Sequence, residues 1–175
     1  MDSKILEVKK IIRDIPNFPK EGIVFKDITP LLKNPEAFRN VVNALMDVLK
    51  NEKIDYVVGI ESRGFIFSPA LAYNLNAGFV PVRKKGKLPH LTHQIPYELE
   101  YGTAILEIHQ DALPAGSRVV IVDDLLATGG TALAAAQLVE KSGAKVIKIG
   151  FVIELSFLKG RDKLKGYDVF SLIQY

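Results

Sequence analysis

The sequence predicts an α/β fold, a mostly parallel central sheet flanked by helices. Three observations carry that prediction. Short apolar runs such as "DYVVGI" (55–60), "RVVIVDD" (118–124) and "KVIKIGFVIE" (145–154) show little alternation, as expected of strands buried on both faces. Segments with apolar residues at helical spacing separate them. Polar, glycine-containing turns, "ESRGF" and "DDLLATGGT", follow two of the runs, where such sheets bind ligands.

Taken in order, Ile5, Val8, Ile12 and Ile15 mark one face of a first helix, ended by Pro16 and Pro19. "NFPKEGIVFKDITPLL" is punctuated by Pro and Gly yet apolar, and reads as a packed irregular segment. Phe38, Val42, Leu45 and Leu49 form the next helical stripe, entered through Asn34 as N-cap and Pro35 as first helical residue. The strand at 55–60 leads through "ESRGF" into a helix over about 65–76, and "GFVPVR" is a second strand. "KKGKLPHLTHQIPYELEYG" reads as a long polar connection. A loop of such length in a compact domain is usually a lid or disordered. "TAILEIHQ" alternates as a strand. "RVVIVDD" is expected to end after Val122, with a helix beginning by about Gly130 and stopped by Gly143. "KVIKIGFVIE" and "YDVFSLI" supply the last two strands.

Composition narrows the function. The chain has 175 residues, 48% apolar and 25% charged, which suits one compact domain. There is no cysteine, so disulfide and thiolate chemistry are absent, which fits a reducing compartment. With three histidines and no cysteine, a structural zinc site is not expected. A formal net charge of +3 is too small to argue for nucleic acid. No stretch reaches the roughly 18 apolar residues that would span a bilayer.

The chemistry concentrates at two turns. Ala127, Thr128, Gly129, Gly130 and Thr131 join a strand to a helix. Glycines let backbone approach a ligand closely, and the free amides and dipole of a helix N-terminus favour phosphate. The missing Lys excludes a Walker A loop, and the spacing is not G-x-G-x-x-G. A carboxylate would repel phosphate, so Asp123 and Asp124 are expected to face sugar hydroxyls or the waters of a bound Mg²⁺. The stretch therefore reads as a ribose-5-phosphate site; a tight turn with an exposed acid pair is the plainer alternative. Glu61, Ser62, Arg63 and Gly64 open the other helix, where a guanidinium and free amides suit a second phosphate, or simply form a capped turn. Arg83, Lys84, Lys85 and Lys87 are either a solvated basic face or neutralise a nearby pyrophosphate.

"VVIVDDLLATGGT" (119–131) resembles the signature of the type I phosphoribosyltransferases, which bind 5-phosphoribosyl-1-pyrophosphate (PRPP). "NFPKEGIVFKDITPLL", "GIESRGFIF", "VRKKGKLP", "LEYGTAILEIHQDAL", "ELSFLKGRDKL" and "FSLIQY" resemble, in order and spacing, the members of that family that use adenine. The resemblance implies one domain over 1–175, with a small N-terminal hood at about 1–34 and a flexible lid loop at about 84–102. It implies AMP and pyrophosphate formed from adenine and PRPP, with Mg²⁺ carried as MgPRPP and no direct protein ligand to the metal. A cytoplasmic homodimer binding neither nucleic acid nor membrane is expected. Residue by residue, it places ribose phosphate on Asp123, Asp124 and Ala127 to Thr131. Pyrophosphate falls on Glu61, Ser62, Arg63, Gly64, Arg83, Lys84 and Lys87, partly across a dimer interface, with a non-proline cis peptide at Glu61–Ser62. Adenine falls on Val24, Phe25, Lys26 and Leu126, between hood and lid. Glu100, beside Tyr101 in the lid, is the proton donor or acceptor near N7. In hypoxanthine–guanine members an aspartate stands where this chain has Ala127, so the proton must pass elsewhere, consistent with Glu100. Another 6-substituted purine, or a nucleotide-sensing regulator on the same fold, are the alternatives.

Overall fold

The computed structural model describes residues 3–98 and 103–175. Seven strands form the main sheet. Its parallel centre is built from β3 (Tyr56–Ile60), β4 (Gly78–Lys84), β7 (Arg118–Leu126), β8 (Lys145–Glu154) and β9 (Val169–Gln174). Two antiparallel strands, β5 (Thr92–Glu98) and β6 (Thr103–His109), extend it beside β4, giving the order β5-β6-β4-β3-β7-β8-β9. The central strands are buried on both faces, which explains their unbroken apolar runs: Val57, Val58, Val119, Val120, Ile121 and Val122 are all fully buried.

Helices cover both faces. α1 (Ser3–Ile11), α3 (Pro35–Leu49) and α4 (Gly64–Leu75) pack on one side through Val8, Leu45, Leu49, Phe67 and Leu71. α5 (Gly130–Lys141) packs on the other through its alanines and Leu138, against Ile121, Ile149 and Phe151. The side chain of Asn34 caps α3, accepting from the amides of Glu36 (3.0 Å) and Ala37 (3.1 Å) with Pro35 in the first turn, as expected. No helix among the described residues is long and apolar enough to cross a membrane.

Four expectations change. The first helix stops at Ile11, because the chain from β1 (Arg13–Pro16) pairs antiparallel with β2 (Val24–Asp27), taking Ile15 out of the helix. The segment read as irregular thus contains β2, and a short helix α2 (Thr29–Lys33) as well. The long polar connection contains β5, paired with β6 along its whole length. Pro96 lies within it, and as β5 is an edge its missing amide is tolerated. Finally, β7 does not stop at Val122. Its pairing with β3 ends at Gly59↔Val122, while its pairing with β8 continues to Leu126↔Glu154. Asp123 and Asp124 therefore lie on a strand held on one side only, where β3 has turned away.

Candidate active site

The departure of β3 from β7 opens a cleft at the carboxyl ends of the strands. It has a volume of about 420 Å³ and is walled by Glu61, Ser62 and Arg63 on one side and Asp123, Asp124 and Thr131 on another. Phe25, from β2, and Lys84, at the end of β4, also face it. A smaller cavity of about 80 Å³ adjoins it, sharing Asp123, Leu125 and Thr131, and is lined by Leu126, Ala127, Thr128 and Gly129. Glu61, Ser62, Arg63, Lys84, Phe25, the acid pair and the turn from Leu126 to Gly129 with Thr131 thus line two adjoining spaces.

At the small end, the turn after β7 is shaped by Gly129, whose φ of +82° only glycine adopts without strain. α5 begins at Gly130, with the Leu133 amide bonding Gly129 O at 3.0 Å, so the first amides of the helix are left for a ligand. Behind this turn sits Gly160, from the excursion that follows β8. A side chain on Gly129 would intrude on the Gly160 carbonyl, and one on Gly160 would fall 2.9 Å from Leu126 Cδ1 and intrude on Ala127 O. Backbone rests on backbone. The excursion is pinned by Glu154, which is buried and accepts from Arg161 at 2.7 and 2.8 Å and from Ser171 Oγ at 2.5 Å. Arg161 also donates to Val169 O at 2.7 Å.

At the other end, β3 gives way to a turn with a cis Glu61–Ser62 peptide, as expected, and α4 starts at Gly64. A side chain on Gly64 would come within 2.9 Å of Asp123 Oδ1 and 3.0 Å of Val122 O, so glycine lets α4 seat directly on β7. The Glu61 carboxylate does not stand free beside a phosphate subsite. It accepts from Arg83 Nε at 3.2 Å and from the Lys84 amide at 3.0 Å. Burial works to raise its pKa, but the Lys84 amide and Arg83 hold it below the usual carboxylate range.

Between the two ends stand the acids. Asp123 Oδ1 accepts from the Asp124 amide at 2.9 Å. Burial and the neighbouring Asp124 charge push the Asp123 carboxyl well up. Burial also raises Asp124, against the pull of Arg63. Arg63 Nε lies 2.9 Å from Asp124 Oδ2, yet that buried oxygen has no aligned hydrogen-bond donor. Beside its ion pair with Arg63 it has room for an aligned donor, which a sugar hydroxyl or a metal-bound water would supply. Arg63 also lies over the Phe25 ring, 5.1 Å from its centre.

Other expected residues are placed further out. The Val24 side chain is exposed, and Lys26 is turned to Asp14 (2.6 Å) and lies over the Tyr175 ring at 3.8 Å. Arg83 bonds Glu61 and Lys87 O rather than lining the cleft. Glu100 and Tyr101 lie outside the described residues. One residue was missed. Tyr97, on β5, is buried in the cleft wall with its hydroxyl on Thr131. The alternation of Ile95 and Tyr97 with polar neighbours was a strand signal, masked by Pro96.

The residues 27–174 match the family described as "Phosphoribosyl transferase domain". An adenine phosphoribosyltransferase of Solibacter usitatus is 60% identical over 169 residues, covering 97% of this chain and 98% of that protein. The crystal structure of adenine phosphoribosyltransferase from Thermoanaerobacter pseudethanolicus superposes with a TM-score of 0.95 at 57% identity, covering 98% of this chain and 99% of that one. The Saccharomyces cerevisiae enzyme, crystallised with an imino-altritol bisphosphate and adenine, gives 0.93 at 49% identity over 98% and 99% of the two chains. With a cleft lined by a pair of buried acids between two helix starts and relatives of this closeness along nearly its whole length, the chain belongs to the adenine phosphoribosyltransferases of the type I phosphoribosyltransferase family.

Proposed function

We propose that this chain transfers the 5-phosphoribosyl group of PRPP to N9 of adenine, giving AMP and pyrophosphate. The observation that carries the reading is the cleft itself, with an anion-suited helix start at each end and two buried carboxylates between them. In the reaction the C1′–oxygen bond to pyrophosphate breaks, the N9–C1′ bond forms, and adenine gives up one proton. The 5′-phosphate lies on Thr128, Gly129, Gly130 and Thr131, beside Ala127. Asp123 and Asp124 accept from the ribose hydroxyls; Asp124 Oδ2, ion-paired with Arg63 yet without an aligned hydrogen-bond donor, supports this. Pyrophosphate lies against Ser62, Arg63 and Gly64, with Lys84 and Lys87 adding positive charge and Glu61 holding Arg83 in place. Adenine lies by Phe25, between the backbone of Val24 and Lys26 and the side of Leu126. Glu100 takes or gives the proton near N7, and the lid segment that carries it, closing over the cleft, keeps water from the ribosyl cation.

Mg²⁺ enters as MgPRPP. Among the described residues no three His, Cys, Asp or Glu side chains converge to hold a metal. The acid pair fits the ion's waters instead, and the bound ion would neutralise the departing pyrophosphate. Residues 1–34 act as the hood of a single domain. A homodimer belongs to the same reading: α4 is apolar nearly all round, yet Tyr73 on it is 87% exposed, and Phe79 of β4, packed on Phe65 of α4, is 37% exposed, a face suited to a second copy. Light scattering should show the dimer. A cytoplasmic setting is part of the proposal, motivated by the cysteine-free sequence.

The test is direct. Purified protein with MgPRPP should convert adenine to AMP with one pyrophosphate released per turnover. Turnover of hypoxanthine or guanine in preference to adenine, or of no base at all, would refute the reading.

A further inference from the structure

The turn that carries the basic cluster, Arg83 to Leu88, is built on a buried acid that the proposed reaction does not use. Glu107 lies on β6, directly across from Arg83 on β4 and from Gln94 on β5, and is only 2% exposed. Its Oε1 accepts from the amides of Lys87 (3.0 Å) and Leu88 (2.9 Å). The Gly86 amide bonds it too. Its Oε2 accepts from Gln94 Nε2 at 3.3 Å and Thr92 Oγ1 at 3.5 Å. All these partners are neutral. A buried carboxylate without a cation is costly, so its full set of donors is what allows it there. Burial works to raise its pKa, but the three turn amides pull it below the usual carboxylate range, so it is ionised at neutral pH.

Satisfying those amides has a geometric result. Consecutive backbone N–H groups of the turn converge on one carboxylate, while Arg83 Nη1 ties the far side to Lys87 O at 3.2 Å and Glu61 holds Arg83 and the Lys84 amide. The turn is thus clamped between two acids, and Lys84 is delivered to the cleft wall. Without the clamp, four like charges within five residues would drive the turn apart.

We propose that Glu107 is a positioning residue for the pyrophosphate end of the cleft, holding the Arg83–Leu88 turn so that its cations meet that group. The assignment rests on the functional reading above. It predicts a split between ligands, because AMP has no pyrophosphate. In Glu107→Gln the amide nitrogen must face donors. Affinity for PRPP and for inorganic pyrophosphate should fall at least tenfold, with AMP affinity within twofold of wild type, read by calorimetry. Hydrogen exchange at the amides of Gly86, Lys87 and Leu88 should speed at least tenfold. Glu107→Asp keeps the charge but withdraws it by one methylene, and should give a smaller loss of the same pattern; it serves as well if the Gln variant does not fold. Equal losses for AMP and pyrophosphate, or unchanged pyrophosphate affinity with faster exchange at 86–88, would overturn the role of Glu107. Failure of the wild-type chain to bind PRPP and pyrophosphate at all would instead overturn the functional reading.

Discussion

The contact between Gly129 and Gly160 makes a quantitative prediction for Gly129→Ala. Two costs add. The first is conformational: φ is +82°, and an L-residue with a Cβ held there loses about 1–2 kcal/mol. The second is steric, since the new methyl would meet a backbone carbonyl, with Gly160 C at 3.2 Å and Gly160 Cα at 3.4 Å. Backbone cannot rotate aside as a side chain tip can, so the turn must move, at about 1–3 kcal/mol by analogy with an overpacked core. The sum is about 2–5 kcal/mol, which for a domain of this size lowers Tm by at least about 4 °C. Function should suffer as well, because displacing a positioning group by about 1 Å costs on the order of 100-fold. AMP and PRPP should weaken together, as both carry the 5′-phosphate. Gly116→Ala is the control. Its φ is +81°, but nothing lies within 4 Å of the added Cβ, so it bears the first cost alone and leaves ligand affinity intact. The assay is a thermal melt of each variant with and without saturating AMP, alongside kcat/KM. If Gly129→Ala melts and binds AMP like Gly116→Ala, the backbone contact does not support the phosphate turn.

Three further outcomes are expected. Arg63→Ala should weaken PRPP and pyrophosphate far more than AMP; equal losses for all three, measured by calorimetry, would contradict the pyrophosphate assignment. Glu100→Gln should lower kcat at least tenfold, within the range of general acid–base help, and leave PRPP affinity nearly unchanged, whereas Glu98→Gln should do little; the reverse pattern in steady-state kinetics would shift the proton to another group. Glu154→Gln should destabilise by about 1–2 kcal/mol at neutral pH, towards the low end of a charged hydrogen bond because Arg161 is 41% exposed. The Arg161 hydrogen bonds hold the Glu154 pKa below its unfolded value, so this contribution is present above pH about 4.3 and is lost as pH falls through the folded value. Denaturant melts of the two proteins should converge in acid, and a constant difference down to pH 3 would show the pair is not ionic.

Periodicity read the sheet well because its strands are buried on both faces and cannot alternate. β8 was placed at 145–154, with the ends it has in the structure. The turns at Gly64 and Gly129 were legible because glycine next to a strand end has few other physical reasons. What escaped was set by distant partners. Whether β7 stops at Val122 or Leu126 depends on β8 continuing where β3 leaves, and nothing in "VVIVDDLL" reports that. Pro96 reads as a breaker until the strand is known to be an edge. Glu107 sits in an alternating strand where an acid reads as solvent-facing, and only the returning turn at 86–88 buries it. Glu154 and Arg161 are seven residues apart with an irregular excursion between, so no periodic pattern links them. The resemblance to the family supplied the role of Glu100, which the residues alone did not.

The pairing of β5 with β6 also bounds a motion. Glu98 pairs with Thr103, so the chain between these ladder-bonded residues is four residues long, with Glu100 its second member. A fully extended chain spans at most about 3.6 Å per residue, so a connection of this length reaches little beyond the end of the ladder. A tether this short cannot sweep a wide arc by itself. To carry Glu100 further, the ladder must either travel with it or unzip from its Glu98 end, and β5 is the strand free to do so, since its outer edge is bonded to nothing in the sheet. Cross-linking Pro96 to Ile105, a facing pair deeper in the ladder, would block unzipping beyond that point while leaving travel of the whole hairpin possible.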